Sequence, residues 1–323
     1  MHVRTSPSSS ATSMSSASSA FVVTKEHRRF AEFCEACRRY GYIGLCYGVP
    51  GVGKTLSARS YANWDALQAF DLYGSVSEAA LHEVLGSNTL FYTPKVVNSP
   101  GHIAHDIQRL RERLHTISQE PLRREEHAKR QELQEQEAAY QQYVLTEKDW
   151  FAEPVEERPR FSYRELSVAY HQKRLAIPDP TTLIIIDEAD RLKTAALEQV
   201  RDIFDHGGLG VVFIGMPGLE KRLARYPQLY SRVGFVHAFR PLSVAEMRAL
   251  LQHKWLPYGV TLPEDGIADE EALAAIIRIT GGNFRLLHRL LTQIARLVEI
   301  NALQKVTSQA VEAARESLVI GIA

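Results

Sequence analysis

The chain has 323 residues, 45% of them hydrophobic, so it can bury a sizeable core in one large or two modest domains. Lys plus Arg and Asp plus Glu are both 38, which argues against a uniformly basic nucleic-acid-binding protein but leaves room for a local basic stripe. No apolar run approaches the ~20 residues of a membrane span, and the N-terminus lacks a signal-peptide pattern, so we expect a cytoplasmic protein without membrane contact.

The start of the chain combines a polar tail with an amphipathic segment. Residues 1–20 are rich in Ser, Thr and Ala and predict a disordered tail. Residues 25–40 predict a helix, because one face would carry Phe30, Phe33, Cys34 and Cys37. The three cysteines of the chain show no disulfide spacing and indicate reduced thiols. We interpret Cys34 and Cys37 as packed thiols, since a zinc site needs about four ligands.

A glycine-rich motif follows a short apolar run at residues 42–48, which predicts a buried strand. GVPGVGKT at Gly48–Thr55 matches G-x-x-x-x-G-K-[ST], and a chance match over the chain has a probability of roughly one per cent. Glycines let backbone N–H groups approach phosphate oxygens, while Lys54 would reach the β- and γ-phosphates and Thr55 would ligate Mg²⁺. We therefore expect an ATP site formed by Gly48, Val49, Pro50, Gly51, Val52, Gly53, Lys54, Thr55 and Leu56.

The region after the motif predicts a helix over 54–69, a strand over 90–97 and then a long charged segment, 103–177. The first part of that segment spaces apolar residues between arginines, and its middle, 123–139, has too few apolar positions to define a core stripe. We predict an excursion on the surface, as a helix, a hairpin or a coiled protrusion.

An acidic pair follows the next apolar run. Leu183–Ile186 predicts a strand buried on both faces, and Asp187 comes at its carboxyl end, where open α/β sheets bind ligands. We expect Asp187 to hold Mg²⁺ together with Thr55 and Glu188 to polarise the attacking water. Without the glycine motif, such residues would more often cap a helix. Asp190 could share the work, but we interpret it as a solvated carboxylate in the first turn of a helix.

The remaining pattern completes an α/β core and then changes. Runs at 210–215 and 235–239 predict further strands, and their alternation with helices predicts a doubly wound parallel sheet. After a capping-box signature at Ser243 and Glu246, only helical periodicity remains, over 244–255, 269–280, 283–300 and 307–319. The predicted domains are a tail at 1–20, an α/β core at 21–242 with the charged excursion, and a helical lid at 243–323.

The sequence resembles AAA+ ATPases over about residues 21–318. Within that class, residues 187–243 (DEADRLKTAALEQV and onward to RPLS) and ITGGNFRLLHRLLTQIARL are similar to the transposition ATPases TniB, TnsC and MuB. The resemblance implies that Arg232, in LYSR, is an arginine finger that reaches the nucleotide of a neighbouring subunit. It also implies that Arg285, in GGNFR, is a sensor II arginine that contacts the γ-phosphate. Neighbouring arginines are alternatives for these roles: Arg222, Arg225 and Arg289.

The resemblance implies an ATP-dependent regulator of DNA transposition. Such a protein would oligomerise as a ring or helical filament on duplex DNA and recruit a transposase, with a target-selection protein as a further candidate partner. ATP hydrolysis would drive disassembly. Another DNA-associated AAA+ ATPase, such as a replication or helicase loader, and an ATP-gated scaffold with little turnover are the alternatives. The strand GVVFIGMPG departs from the family pattern, because Gly215 and Met216 stand where a polar sensor I residue is usual, which indicates slow hydrolysis or switching by binding.

DNA binding would use backbone phosphates, largely without reading bases. A group of basic residues in the charged excursion gives modest support for it: Arg109, Arg111, Arg113, Arg123, Arg124, Lys129 and Arg130. Acidic residues are interleaved among them, and residues 131–157 are net acidic. Two interpretations remain open at this point, a DNA-binding stripe and a solvated helix of mixed charge.

Overall fold

The computed structural model describes residues 21–72, 74, 77–146, 162–253, 260, 262, 267 and 269–318. The chain divides into two units by its internal contacts. The α/β unit comprises Arg29–Val49 and Lys54–Phe239, and the helical unit comprises Pro50–Gly53 with the described parts of Met1–Arg28 and Arg240–Ala323. The predicted tail, 1–20, and part of the charged excursion, 147–161, lie outside the described residues. The domain boundaries drawn from the sequence stay predictions.

Within the described residues of the α/β unit, the strands form one parallel sheet. They are β1 (Ile43–Tyr47), β2 (Thr89–Tyr92), β3 (Leu183–Ile186), β4 (Gly210–Gly215) and β5 (Val233–Ala238). Their spatial order is β2-β3-β4-β1-β5, and every neighbouring pair is parallel. Every residue of β3 and β4 is buried, as their continuous apolar runs predict. The predicted α/β class with a parallel sheet is therefore confirmed.

Along the chain, helices precede, separate and follow these strands up to residue 240. They are α1 (Lys25–Tyr40), α2 (Lys54–Tyr61), α3 (Trp64–Ala69), α4 (Glu78–Val84), α5 (Pro100–Ser118), α6 (Glu120–Thr146), α7 (Tyr163–Leu175), α8 (Thr194–Gly207), α9 (Leu219–Leu223) and α10 (Pro227–Tyr230). The predicted helix over 54–69 is broken, because Asn63 has a positive φ of 50° and donates through its side chain to the Glu83 carbonyl. In α1, Cys34 and Cys37 are buried free thiols.

The charged segment is only partly a surface excursion. The face of α5 that carries Ile103, Ile107 and Leu114 is buried, so the prediction that this part lies on the surface was wrong. Beyond it, α6 and α7 pack through polar contacts: the Tyr170 hydroxyl donates to Glu125 at 2.6 Å, and Arg174 pairs with Glu126. These pairs join two helices that lack an apolar stripe, as the sequence predicts for the middle of the segment.

The helical unit contains α11 (Val244–Gln252), α12 (Glu270–Thr280), α13 (Phe284–Ile300) and α14 (Ser308–Glu316). Its core includes fully buried side chains from each helix, among them Met247, Ile276, Leu291 and Val311. The predicted capping box is present, since Ser243 Oγ accepts from the Glu246 amide while the Glu246 carboxylate accepts from the Ser243 amide. Among the residues that the structure describes, no helix is both long and apolar enough to cross a membrane.

Candidate active site

Three neighbouring strands bring the predicted motifs to one edge of the sheet. β1 leads into Gly48, β3 into Asp187 and β4 into Met216, and parallel strands end at the same edge. The Gly48 amide donates to the Gly215 carbonyl at 3.4 Å, and the Asp187 amide donates to the Tyr92 carbonyl at 2.8 Å. The acidic pair and the start of the glycine motif are thus anchored to adjacent parts of one sheet.

The first glycine of the motif lies where backbone approaches backbone. A Cβ on Gly48 would fall 2.4 Å from the Phe239 carbonyl oxygen, so no side chain fits without a shift. Lys54, at the start of α2, donates through Nζ to the carbonyl oxygens of Gly48 at 2.5 Å and Val49 at 2.9 Å. The ammonium of Lys54 therefore lies at the start of the motif. A cation in this position is suited to bind phosphate oxygens.

The centre of the motif belongs to the helical unit. Gly51 and Gly53 have φ values of 84° and 104°, which favour glycine. The Arg285 amide donates to the Gly51 carbonyl at 3.1 Å, and Asn283 Nδ2 donates to the Pro50 carbonyl at 2.8 Å. A Cβ on Gly51 would fall 2.4 Å from Asn283 Oδ1. The predicted sensor segment GGNFR is therefore hydrogen-bonded to the loop centre within this unit.

The other predicted binding residues differ in exposure. Val52 is 1% exposed, whereas Val49 is 44% and Leu56 58% exposed. Val49 and Leu56 therefore offer apolar surface to a ligand, whereas the side chain of Val52 does not.

A hydroxyl and a carboxylate meet at the residue after Lys54. Thr55 Oγ1 donates to Asp187 Oδ2 at 2.7 Å, and the Glu188 amide donates to Asp187 Oδ1 at 2.9 Å. Asp187 is only 4% exposed, and desolvation by this burial raises its pKa above the ordinary value. Hydroxyl and carboxylate oxygens are the ligands that Mg²⁺ prefers, so the residues present fit this ion.

Glu188 occupies a strained position beside this pair. Its φ of 49° and ψ of 42° place a non-glycine residue in the left-handed region, which costs of order 1 kcal/mol. Its carboxylate forms an ion pair with Arg191, and Arg191 Nη1 also donates to the Pro94 carbonyl at 2.9 Å. The side chain predicted to polarise water is therefore held by a neighbouring cation.

Arg232 lies at the start of β5 and contacts α8 and α10. Its guanidinium binds both carboxylate oxygens of Asp205, at 2.7 Å for Nη2 to Oδ2, and also the Gln228 carbonyl. The guanidinium lowers the pKa of Asp205. None of the Arg232 hydrogen bonds identified among the described residues goes to the glycine motif. The alternative Arg222 instead donates to the carbonyls of Asp190 and Leu192.

Asp190 is the functional candidate whose contact the sequence pattern missed. Asp190 is exposed, as its interpretation as a solvated carboxylate predicts, and its Oδ2 also accepts a hydrogen bond from the Met216 amide at 2.8 Å. A signal for this contact exists in the sequence, because Gly215 leaves the end of β4 without a side chain.

Replacing Asp187 by Asn is expected to raise the melting temperature of the nucleotide-free protein by about 1–3 °C at neutral pH. The raised pKa means that the protonated carboxyl favours folding; this stability is fully present below the unfolded pKa and is lost as pH rises through the folded pKa. An amide carries no charge to desolvate, and its oxygen can still accept from the Glu188 amide while its NH₂ donates to Thr55 Oγ1, which reverses that hydrogen bond. Thermal unfolding at pH 7 and near pH 4 measures the difference, which should shrink at the lower pH.

The same variant should lose most of the stabilisation that MgATP gives the parent, because a neutral amide is a weaker Mg²⁺ ligand. Asp202→Asn is the matched control, since Asp202 is an exposed carboxylate on α8. An Asp187→Asn protein that MgATP stabilises as much as the parent would exclude Asp187 from the metal site.

Comparisons with known proteins bear on this site. A family model described as an AAA domain matches residues 37–223. The chain is 40% identical over 311 residues to a "Potential ATP-binding protein" of Staphylococcus aureus, covering 94% of this chain and 97% of the relative. It is 32% identical over 114 residues to the "Mu-like prophage FluMu DNA transposition protein B" of Haemophilus influenzae, covering 32% of this chain and 36% of that protein.

A solved structure is also similar. The Aeropyrum pernix ORC2 protein, in ADPNP–ADP complexes, matches with a TM-score of 0.50 and 15% sequence identity, over 92% of this chain and 68% of that chain. At this level of identity, the likeness shows the fold alone.

Proposed function

This chain belongs to the AAA domain family and has the P-loop AAA+ fold, and from that premise we propose that it is an ATPase that regulates DNA transposition. The observation that carries the ATPase part is the hydrogen bond between Thr55, in the glycine motif, and Asp187, at the end of β3. The transposition part is supported by the similarity to a prophage DNA transposition protein over 114 residues and by the resemblance of the sequence to TniB, TnsC and MuB.

The proposed nucleotide site uses the glycine motif for the phosphates. Backbone amides of Gly48–Thr55 and the ammonium of Lys54 would bind phosphate oxygens, and α2 begins at Lys54 with its positive dipole end. Thr55 and Asp187 would hold Mg²⁺, which supplies positive charge to the phosphate oxygens when bound. Asp187 would then be paired with a cation, which offsets the cost of its burial.

Glu188 would accept the hydrogen bond of the attacking water and orient it. This role requires the Glu188 carboxylate to exchange its ion pair with Arg191 for water. The exchange adds a barrier to each cycle, which agrees with the slow turnover that the sequence predicts.

Arg232 would act on the nucleotide of a neighbouring subunit in a head-to-tail oligomer. In the single chain its guanidinium is neutralised by Asp205, so assembly must replace this ion pair with phosphate contacts. Arg285 would contact the γ-phosphate of its own subunit, from the segment that binds the loop centre.

The charged segment is not the main support for DNA binding. Arg111 pairs with Asp179 at 2.8 Å, Arg113 donates to the carbonyls of Leu67 and Phe70, and Arg123 pairs with Glu120. These contacts favour the interpretation of this segment as a helix of mixed charge. Binding to duplex DNA is therefore proposed from the similarity to the transposition protein, without assigning the residues that contact DNA.

A binding titration of the full chain with duplex DNA tests the proposed function. With a non-hydrolysable ATP analogue, we expect similar affinity for two unrelated sequences of equal length and a steep decrease with salt. Electron microscopy of the same samples should show rings or filaments on the DNA. The ATP-bound parent failing to bind duplex DNA in a salt-sensitive manner would refute the transposition role.

A second candidate is an ATP-gated scaffold that binds a partner with little turnover. The observations that favour it are the ion pair between Glu188 and Arg191 and the absence of a polar side chain at Gly215 and Met216. Comparing the turnover of the parent with that of Glu188→Gln separates the two candidates.

A further inference from the structure

The end of β4 carries no polar side chain of its own, although the adjacent strand ends in the acidic pair. After Gly215 the chain continues through Met216, which is 43% exposed. A polar group nevertheless reaches this point from another element. Asp190, in the short 3-10 turn Ala189–Arg191, accepts a hydrogen bond from the Met216 amide at 2.8 Å through Oδ2.

Gly215 and Asp190 fit each other. A Cβ built on Gly215 would fall 2.5 Å from Asp190 Oδ2, 2.9 Å from Leu219 Cδ2 and 3.1 Å from Asp190 Cγ, so a side chain here would displace the ends of both neighbours. The glycine thus leaves room for both the Asp190 carboxylate and the Leu219 side chain.

The turn that carries Asp190 is held from the other side by α9. Arg222 Nη1 donates to the Asp190 carbonyl at 2.7 Å, and Nη2 donates to the Leu192 carbonyl. Glu188 immediately precedes this turn, and its carbonyl accepts from the Arg191 amide at 2.9 Å. The backbone of Glu188 is therefore fixed by Asp187 on one side and by the Asp190 turn on the other.

We propose that Asp190 is a positioning residue for the proposed ATPase: its carboxylate takes the place of a polar side chain at the end of β4 and fixes the turn that carries Glu188. The inference rests on the proposed function. It assigns Asp190 no contact with ATP, so binding through Lys54 and Thr55 should not depend on it. Its loss should act on turnover, because a base displaced by a fraction of an ångström is much less effective.

Asp190→Ala and Asp190→Asn test this role through steady-state turnover, ATP affinity and melting temperature. Alanine removes the acceptor of the Met216 amide, so turnover should fall by at least about tenfold while the ATP dissociation constant changes by less than about threefold. Asparagine keeps an acceptor oxygen, so its turnover should remain within about threefold of the parent. Asp202→Ala, at an exposed carboxylate on α8, is the matched control and should be unchanged.

Gly215→Ser gives a second, independent test of the fit. Alone, the serine Cβ meets both Asp190 Oδ2 and Leu219 Cδ2 and should lower turnover. Combined with Asp190→Ala, it loses the closer of these contacts and keeps the one with Leu219, so the double variant should be more active than the product of the two single effects predicts.

If the parent is active and Asp190→Ala is equally active, the role of Asp190 is refuted while the proposed ATPase stands. The role of Asp190 is also refuted if Asp190→Asn turns over as slowly as Asp190→Ala, or if the lower turnover of Asp190→Ala comes from weaker ATP binding. Additive effects of Gly215→Ser and Asp190→Ala on turnover would refute it as well. A parent that turns over no faster than Glu188→Gln refutes the ATPase itself, and this inference with it.

Discussion

Replacing Lys54 by Ala is expected to lower ATP turnover by about a thousandfold or more, since the site loses the one side-chain cation of the glycine motif. In the structure, Lys54 Nζ donates to the carbonyls of Gly48 and Val49, at the entrance of the motif. With ATP present, the same ammonium would turn to the β- and γ-phosphates. Phosphate release at saturating MgATP measures the loss.

Lys305→Ala is the matched control for this substitution. Lys305 is an exposed lysine of the helical unit, outside the glycine motif, so its removal should leave turnover unchanged. A Lys54→Ala protein that retains more than about a tenth of the parent turnover would mean that phosphate binding does not depend on this cation.

Replacing Glu188 by Gln is expected to lower turnover by about a hundredfold or more while ATP affinity stays close to that of the parent. A general base or water-orienting carboxylate contributes on this scale, and an amide of the same shape cannot take up a proton. Arg191 also loses its ionic partner, so any effect of the ion pair on turnover is removed at the same time. Single-turnover hydrolysis and equilibrium binding separate the chemical step from binding.

Glu198→Gln is the control, because Glu198 on α8 is likewise paired with an arginine, Arg201, at 2.8 Å. Equal rates near zero in the parent and Glu188→Gln would favour the scaffold. Equal rates well above zero would exclude Glu188 from the chemical step.

Local patterns predicted the parts of the fold that depend on sequence neighbours. The continuous apolar runs of β3 and β4 predicted strands buried on both faces, and every residue of both is buried. Ser243 and Glu246 predicted a helix start through their spacing alone, and both halves of the capping box are present.

The sequence pattern could not predict contacts between residues that lie far apart in the chain. Arg111 pairs with Asp179, 68 positions away, so the charge composition of the segment could not distinguish a DNA-binding stripe from internal ion pairs. The strand predicted at 90–97 ends at Tyr92, because Pro94 follows and cannot donate to the ladder. The role proposed for Asp190 depends on a hydrogen bond from the Met216 amide, just after β4, which spacing does not reveal.

Two residues at the end of β3, Asp187 and Glu188, lower the stability of the folded protein. Asp187 is a buried carboxylate with a raised pKa, and Glu188 has a left-handed backbone. Such costs are typical of sites kept for function, where a bound cation or a fixed geometry outweighs the loss. We therefore expect bound MgATP to stabilise the segment that contains Asp187 and Glu188.

Calorimetric titration of MgATP into the nucleotide-free parent and the Lys54→Ala variant tests the central claim most directly. If main-chain amides around Lys54 hold the triphosphate, the parent should bind in a Mg²⁺-dependent manner and the variant should bind at least about a hundredfold more weakly. Equal affinities of the two proteins for MgATP would contradict the assignment of the nucleotide to this loop, and the proposed ATPase would fall with it.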